Sequence, residues 1–284
     1  MFFLAKSIIY IFIEKGDIMI KLIASDLDGT LLDDNGKIPN EFEDVLKEII
    51  QRNIKFIAAS GRPYYTLKED FGKLAKHVTF VADNGAVIVE NDEIIHCDII
   101  EKELVQKIIS KYRTLKDIHI ILCGKECAYI EDTDPRFLEE VDKFYYKKEI
   151  VNNIEDIEND IVKITFCDFN NVRQLSEKHF AKEFSDELQI VVSGKIWLDI
   201  MDNKTNKGLG LKKIQDKFAI TNGETMVFGD YYNDLPMFEK AFFTYAMDNA
   251  PEEVKSKAKY IIESNSNYGV INTLRDKYLK NQGE

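Results

Sequence analysis

Lys21-Leu22-Ile23-Ala24-Ser25-Asp26-Leu27-Asp28-Gly29-Thr30-Leu31 is the stretch on which the reading of this chain turns. An apolar run of strand length stops at two carboxylates one residue apart, and a glycine follows at once. Unbroken hydrophobicity of this kind suits a strand buried on both faces in a parallel sheet. Carboxylates at the end of such a strand, rather than within it, can both face one pocket. Calcium loops also use alternating aspartates, but an EF-hand needs glycine at its sixth position and glutamate at its twelfth. Counted from Asp26, those positions hold Leu31 and Lys37, so that reading fails. Taken alone, the motif also suits a turn whose Asp side chains cap backbone N–H groups.

Outward from this point, strand and helix signals alternate. Apolar runs at residues 54–59, 78–82 and 225–228 end in Ser60-Gly61-Arg62, Asp83-Asn84-Gly85 and Gly229-Asp230. Residues 40–52 read as a helix. Asn40 is placed to cap it, Glu43 stands at the capping-box position, and Phe42, Val45, Leu46, Ile49 and Ile50 make one stripe. Another helix is expected over residues 205–218. The alternation predicts a doubly wound, parallel-sheet α/β domain with right-handed crossovers, where ligands bind beyond the carboxyl ends of the strands. Asp26, Ser60 and Asp230 all stand at such ends.

The middle of the chain has a different texture. Short β-like runs at 86–89, 119–122, 128–130, 161–166 and 189–192 alternate with helical stretches at 101–112 and 172–184. Residues 134–144 read as a further helix with Asp134 as cap and Pro135 at its first position. Hairpin-sized gaps predict an antiparallel sheet with helices on one face, an α+β module inserted into the first domain. The expected bounds are a core of residues 19–85 and 193–275, an insert of 86–192 and a tail of 276–284.

Three further elements suit an anionic substrate and a cation. Ser60-Gly61-Arg62 offers a hydroxyl and free backbone N–H groups at a strand-to-loop turn, as phosphate oxygens require. Lys207, in Asn206-Lys207-Gly208, opposes the dipole of the helix it begins and so points to an anion. Gly229-Asp230-Tyr231-Tyr232-Asn233-Asp234 supplies carboxylates for a hard cation such as Mg²⁺. Each is weak alone, since turns with a surface Arg, solvated Lys residues and acidic loops are common.

Their order is specific. D-x-D-G-T-L, S-G-R, N-K-G and G-D-x-x-N-D resemble the four motifs of the haloacid dehalogenase superfamily. Within it the pattern resembles the Cof-like (subfamily IIB) phosphatases, in which a cap is inserted between the second and third motifs. Asp83-Asn84-Gly85-Ala86, Ala246-Met247-Asp248-Asn249-Ala250 and Tyr268-Gly269-Val270 also fit, although Asp248 stands where many relatives have glycine. The resemblance runs from Met19 to about Leu274.

It implies a Rossmann-like core with an α+β cap and a Mg²⁺-dependent phosphoric monoester hydrolase. The substrate would be a small phosphorylated metabolite, a sugar phosphate or a phosphorylated cofactor. In that scheme Asp26 is the nucleophile and Asp28 the general acid and base. Mg²⁺ is held by Asp26, the main-chain carbonyl of Asp28 and Asp230, with Asp234 ordering the metal's waters. Ser60 and Lys207 bind phosphoryl oxygens, Asn233 helps, and Gly61 and Arg62 complete the substrate-binding set. An acid at position 28 favours ester hydrolysis, because the transport ATPases and the phosphonate hydrolases of the superfamily lack it. A phosphomutase of the same superfamily is the alternative enzyme, and a sugar-phosphate sensor the alternative without catalysis. Specificity is expected in the cap, with Tyr129, Arg136, Lys147 and Lys148 as candidate contacts.

Bulk properties narrow the partners. The 284 residues are 45% hydrophobic and 31% charged, with a net charge of -12. No basic cluster offsets that acidity, which argues against nucleic acid. Cys97, Cys123, Cys127 and Cys167 form no zinc pattern, so reduced thiols in a cytoplasmic protein are expected. The four histidines sit in no nucleophile motif. Residues 1–13 are apolar but too short for a membrane span, are interrupted by Lys6 and lack the marks of a secretory signal. Lys15-Gly16-Asp17-Ile18-Met19 can be encoded AAA GGA GAT ATT ATG, a purine-rich ribosome-binding site before a start codon. Residues 1–18 are therefore expected to be a translated leader, with Met19 the natural start. A monomer or homodimer with no membrane partner is expected.

Overall fold

The computed structural model describes residues 19–276. The expected leader, and the tail beyond residue 276, lie outside the described residues. Strand β1 (Leu22–Ser25) pairs in parallel with β2 (Lys55–Ala59) on one side and β12 (Thr225–Gly229) on the other. Parallel pairing continues outward to β3 (Thr79–Ala82) and, on the far side, to β13 (Phe243–Met247) and β14 (Tyr260–Ile262). Every residue of β1, β3, β12 and β13 is buried, as a sheet covered on both faces demands. Ser25 lies opposite both Ala58 and Phe228, so the chain leaves the sheet at one level at Asp26, Ser60 and Asp230.

Helices cover this sheet. They are α1 (Phe42–Gln51) and α2 (Tyr64–Phe71), then, after the insert, α6 (Lys207–Phe218), α7 (Leu235–Phe238), α8 (Glu252–Lys255) and α9 (Gly269–Leu274). Helix α1 buries Phe42, Val45, Leu46 and Ile49, each contributing about 1.5–3 kcal/mol. Two details of its sequence reading change. The Asn40 side chain does not cap it: the helix begins at Phe42, whose N–H is taken by the Pro39 carbonyl at 3.0 Å. Ile50 sits at the exposed edge of the stripe.

The insert forms a second sheet from β6 (His119–Gly124), β7 (Ala128–Ile130), β8 (Lys148–Ile150), β9 (Ile161–Cys167), β10 (Leu188–Val192) and β11 (Trp197–Asp202). Their spatial order is β10-β11-β9-β6-β7-β8, antiparallel except for the β7–β8 pair. Helix α3 (Lys102–Tyr112) and the helical run α5 (residues 172–184) bury Leu104, Ile108, Phe180 and Phe184 against Ile164 and Phe166 on one face. Helix α4 (Pro135–Phe144) is capped by Asp134, whose side chain accepts the Arg136 N–H at 2.8 Å. It lies on the opposite face, with Phe137 stacked 4.6 Å from His119. The helices therefore occupy both faces rather than one.

Sheet membership also moves the expected bounds of the insert. The hairpin of β4 (Val87–Glu90) and β5 (Glu93–Cys97) extends the core sheet, antiparallel to β3. Strand β11 belongs to the second sheet. By pairing, the insert spans about residues 98–202, not 86–192, because register with β3 and β9 outweighs the local texture of these segments.

Candidate active site

Asp26 emerges from the centre of the core sheet, its N–H bonded to the Phe228 carbonyl at 3.0 Å. The turn Leu27–Leu31 is closed by the Leu32 N–H on the Leu27 carbonyl at 2.9 Å. Within it Gly29 has φ +80°, and a Cβ there would lie 2.4 Å from Asp230 Oδ2. Only glycine allows the turn and the Asp230 carboxylate to approach this closely. Thr30 Oγ1 donates to Asp230 Oδ1 at 3.1 Å, and the Asn249 side chain donates to the Gly29 carbonyl at 2.8 Å.

Lys207 is fully buried at the start of α6. Gly208 makes this possible, since any Cβ on it would strike the Pro236 backbone 2.2 Å away. Asn206 caps the helix by accepting the Leu209 N–H at 2.9 Å. The Lys207 ammonium then donates to Asp26 Oδ1 at 2.5 Å and to Asp234 Oδ1 at 2.8 Å. Burial works to lower its pKa, but Asp234 and Asp26 outweigh burial and hold the ammonium above its usual value.

Asp26, Asp230 and Asp234 each present an oxygen within 4.8 Å of the others. Burial first, and then the Asp234 charge, push Asp26 up to about 7 against the pull of Lys207. Burial, Asp26 and Asp234 push Asp230 up to about 9. Three carboxylates against one ammonium leave an excess of negative charge, which a hard, oxygen-seeking divalent cation would relieve. The residues present therefore fit Mg²⁺. They do not contribute alike. Asp234 Oδ1 is taken by Lys207, Oδ2 accepts the N–H groups of Asp230 and Tyr231 at 3.0 Å each, and the side chain is fully buried.

A cavity of about 320 Å³ opens over these groups, lined from the core by Asp26, Asp28, Ser60, Gly61, Arg62, Asp230 and Asn233. Lys207 and Asp234 stand behind that lining. Ser60 Oγ accepts the Arg62 N–H at 3.1 Å. The Arg62 guanidinium is bound to Asp28 and Asp70, and the Asn233 amide donates to Asn84 Oδ1 at 3.0 Å. The core residues expected from sequence thus converge, while Arg62, Asn233 and Asp234 are engaged by protein partners.

The other wall comes from the insert: Phe144, Tyr145, Lys163, Thr165, Ser193, Gly194, Lys195, Trp197 and Asp199. None of Tyr129, Arg136, Lys147 and Lys148 is among them. Tyr129 is packed beneath α3, Arg136 pairs with Asp134, Lys148 with Asp142, and Lys147 lines a separate cleft. Lys163 is fully buried. Its Nζ donates to the Gly61 carbonyl at 2.5 Å and lies 2.9 Å from Asp83 Oδ1. Asn84 donates to Asp199 Oδ2 at 2.9 Å, and Thr165 to Asp199 Oδ1 at 2.8 Å. Alternation along β9 (Lys163 and Thr165 opposite Ile164 and Phe166) and along β11 (Trp197 and Asp199 opposite Leu198 and Ile200) was the signal that could have found these residues.

The sequence profile of the haloacid dehalogenase-like hydrolases matches residues 23–274. A 5-amino-6-(5-phospho-D-ribitylamino)uracil phosphatase of Escherichia coli (strain K12) is 31% identical over 265 residues, covering 93% of this chain and 97% of that protein. A phosphatase of the same name from Bacillus subtilis (strain 168) is 27% identical over 272 residues, covering 93% and 98%. A solved structure from Streptococcus mutans UA159 superposes with a TM-score of 0.84 at 30% identity, covering 90% of this chain and 98% of that one.

Proposed function

Because the chain belongs to the haloacid dehalogenase-like hydrolases and is a phosphatase of their Cof-like branch, we propose that it is a Mg²⁺-dependent phosphomonoesterase working through Asp26. The observation that carries this reading is the Asp26–Asp230–Asp234 cluster braced by buried Lys207 beside the cavity. Asp26, the main-chain carbonyl of Asp28 and Asp230 would hold Mg²⁺, while Asp234 fixes Lys207 and the loop that carries Asp230. The ion would reduce repulsion between nucleophile and phosphate. Lys207 favours the ionised form of Asp26, and Ser60 would bind a phosphoryl oxygen. Asp26 attacks phosphorus as the ester P–O bond breaks, and the departing alkoxide takes a proton from Asp28. Asp28 then removes a proton from water, whose oxygen attacks the aspartyl phosphate, and the P–O bond to Asp26 breaks.

The wall from the insert sets Trp197 and Phe144 beside Lys163, Thr165, Lys195 and Asp199. Rings next to hydrogen-bonding groups suit a leaving group with a hydroxylated chain and a flat head. The named substrate of the E. coli and B. subtilis relatives has both, which makes 5-amino-6-(5-phospho-D-ribitylamino)uracil the first ester to assay. We expect phosphate release from it and from 4-nitrophenyl phosphate that is lost with EDTA and restored by Mg²⁺. Asp26→Asn should remove turnover with the circular dichroism unchanged. Near-normal turnover in that variant, or indifference to EDTA, would overturn the mechanism.

A further inference from the structure

Arg62 is 8% exposed, and its guanidinium is divided between two carboxylates. Nε and Nη2 donate to Asp28 Oδ2 and Oδ1 at 2.9 and 2.5 Å, a side-on pair. Nη1 donates to Asp70 Oδ2 at 2.9 Å. The Asp28 side chain is 47% exposed, so its direction depends on that pair. A bidentate guanidinium fixes a carboxylate only if its own long stem is fixed. Two things fix it here. Asp70, at the end of α2, is 9% exposed and takes the remaining arm of the guanidinium. The Phe144 ring of the insert lies 5.3 Å from the guanidinium carbon.

Asp70 stands outside the first cavity. It lines a second cavity on the far side of Arg62, of about 620 Å³. Tyr146 of the insert lines that second cavity together with Asp70 and Arg62. Thr66 of α2 donates to the Phe144 carbonyl at 2.8 Å, which ties the same stretch of the insert to α2.

We propose that Asp70 is a positioning residue for the acid step, acting through Arg62 to aim the Asp28 carboxyl at the leaving oxygen. Phe144 brings the insert into the same clamp. The inference rests on Asp28 being the general acid, so that assignment is tested alongside it.

The discriminating measurement is kcat/KM for two esters, an alkyl phosphate such as glycerol 2-phosphate and 4-nitrophenyl phosphate. An alkoxide needs a proton as it leaves; nitrophenolate needs little help. A misdirected acid therefore slows the first ester selectively. Asp70→Asn should lower kcat/KM for the alkyl ester ~10-fold or more and for the nitrophenyl ester by no more than about threefold, within the range of acid catalysis. Asp70→Glu should recover part of the loss. Asp70→Ser, which removes the carboxylate with a smaller polar side chain, should shift the ratio in the same direction, and it decides the matter if Asp70→Asn fails to fold. Equal losses on both esters, or none, while Asp28→Asn discriminates between them, would overturn the role of Asp70 alone. If Asp28→Asn does not discriminate either, the acid assignment falls and this inference falls with it.

Discussion

At position 29 a single hydrogen atom decides how close the two arms of the site can come. Alanine there would carry about 1–2 kcal/mol of backbone strain at φ +80° and drive its methyl group into Asp230. Asp230 would swing away while Asp26 and Lys207 stayed. We expect Gly29→Ala to raise the Mg²⁺ concentration needed for half-maximal activity ~10–100-fold, the scale seen when a metal ligand loses its support. A titration of activity with Mg²⁺ measures this, and an unchanged midpoint would show that the contact does not place Asp230. Residues announced by a motif were legible at this scale: Asp26, Asp28, Ser60, Lys207 and Asp230 all converge. Lys163, Asp199 and Asp70 were not, because their meaning comes from partners far away in sequence.

Short elements carry stability that the site depends on. Before β12, the turn Asn222–Glu224 is closed by a capping box: the Thr221 N–H donates to Glu224 Oε2 at 2.9 Å. Lys21, just before β1, lies 2.5 Å from the same carboxylate. The Lys21 bond first, and then the Thr221 groups, lower Glu224 from an ordinary 4.5 to about 2. A pKa depressed in the folded state means that the stabilisation is whole above 4.5 and fades as the pH falls toward 2. Glu224→Ala should therefore cost ~1 kcal/mol at pH 7, and denaturant melts at pH 7, 4 and 3 should show the gap to the parent closing. A gap that is constant with pH would assign the loss to packing instead. Elements themselves were legible where periodicity was strong, as in α1, α6 and β1–β3. The partner of β4 was not, because alternation identifies a strand but not the sheet it joins, and β5 and β11 were not read as strands at all. Nor does an amphipathic helix such as α4 announce which face of a sheet it will cover.

For the molecule as a whole, sheet membership sets where the insert can be exchanged. A chimera joined near residues 98 and 202 leaves both sheets intact, and it should fold, keep its Mg²⁺ dependence and prefer different esters. One joined at 86 and 192 strips β4 and β5 from the core and strands β11 without its neighbours, and it should melt or aggregate. Thermal unfolding with an ester panel separates the two, and equal behaviour would refute the boundaries drawn from pairing. The joint between the bodies has its own character. Lys163 from the insert meets Asp83 and the Gly61 carbonyl of the core through charge and hydrogen bonds, beside apolar packing that also runs between the bodies. Burying such a pair strips both charges of water at a cost close to what their attraction returns. Separating the two bodies would wet ammonium and carboxylate together, so hydration would replace most of what the contact loses. This one buried contact therefore adds little to the cost of parting the two bodies, and the apolar packing beside it sets that cost.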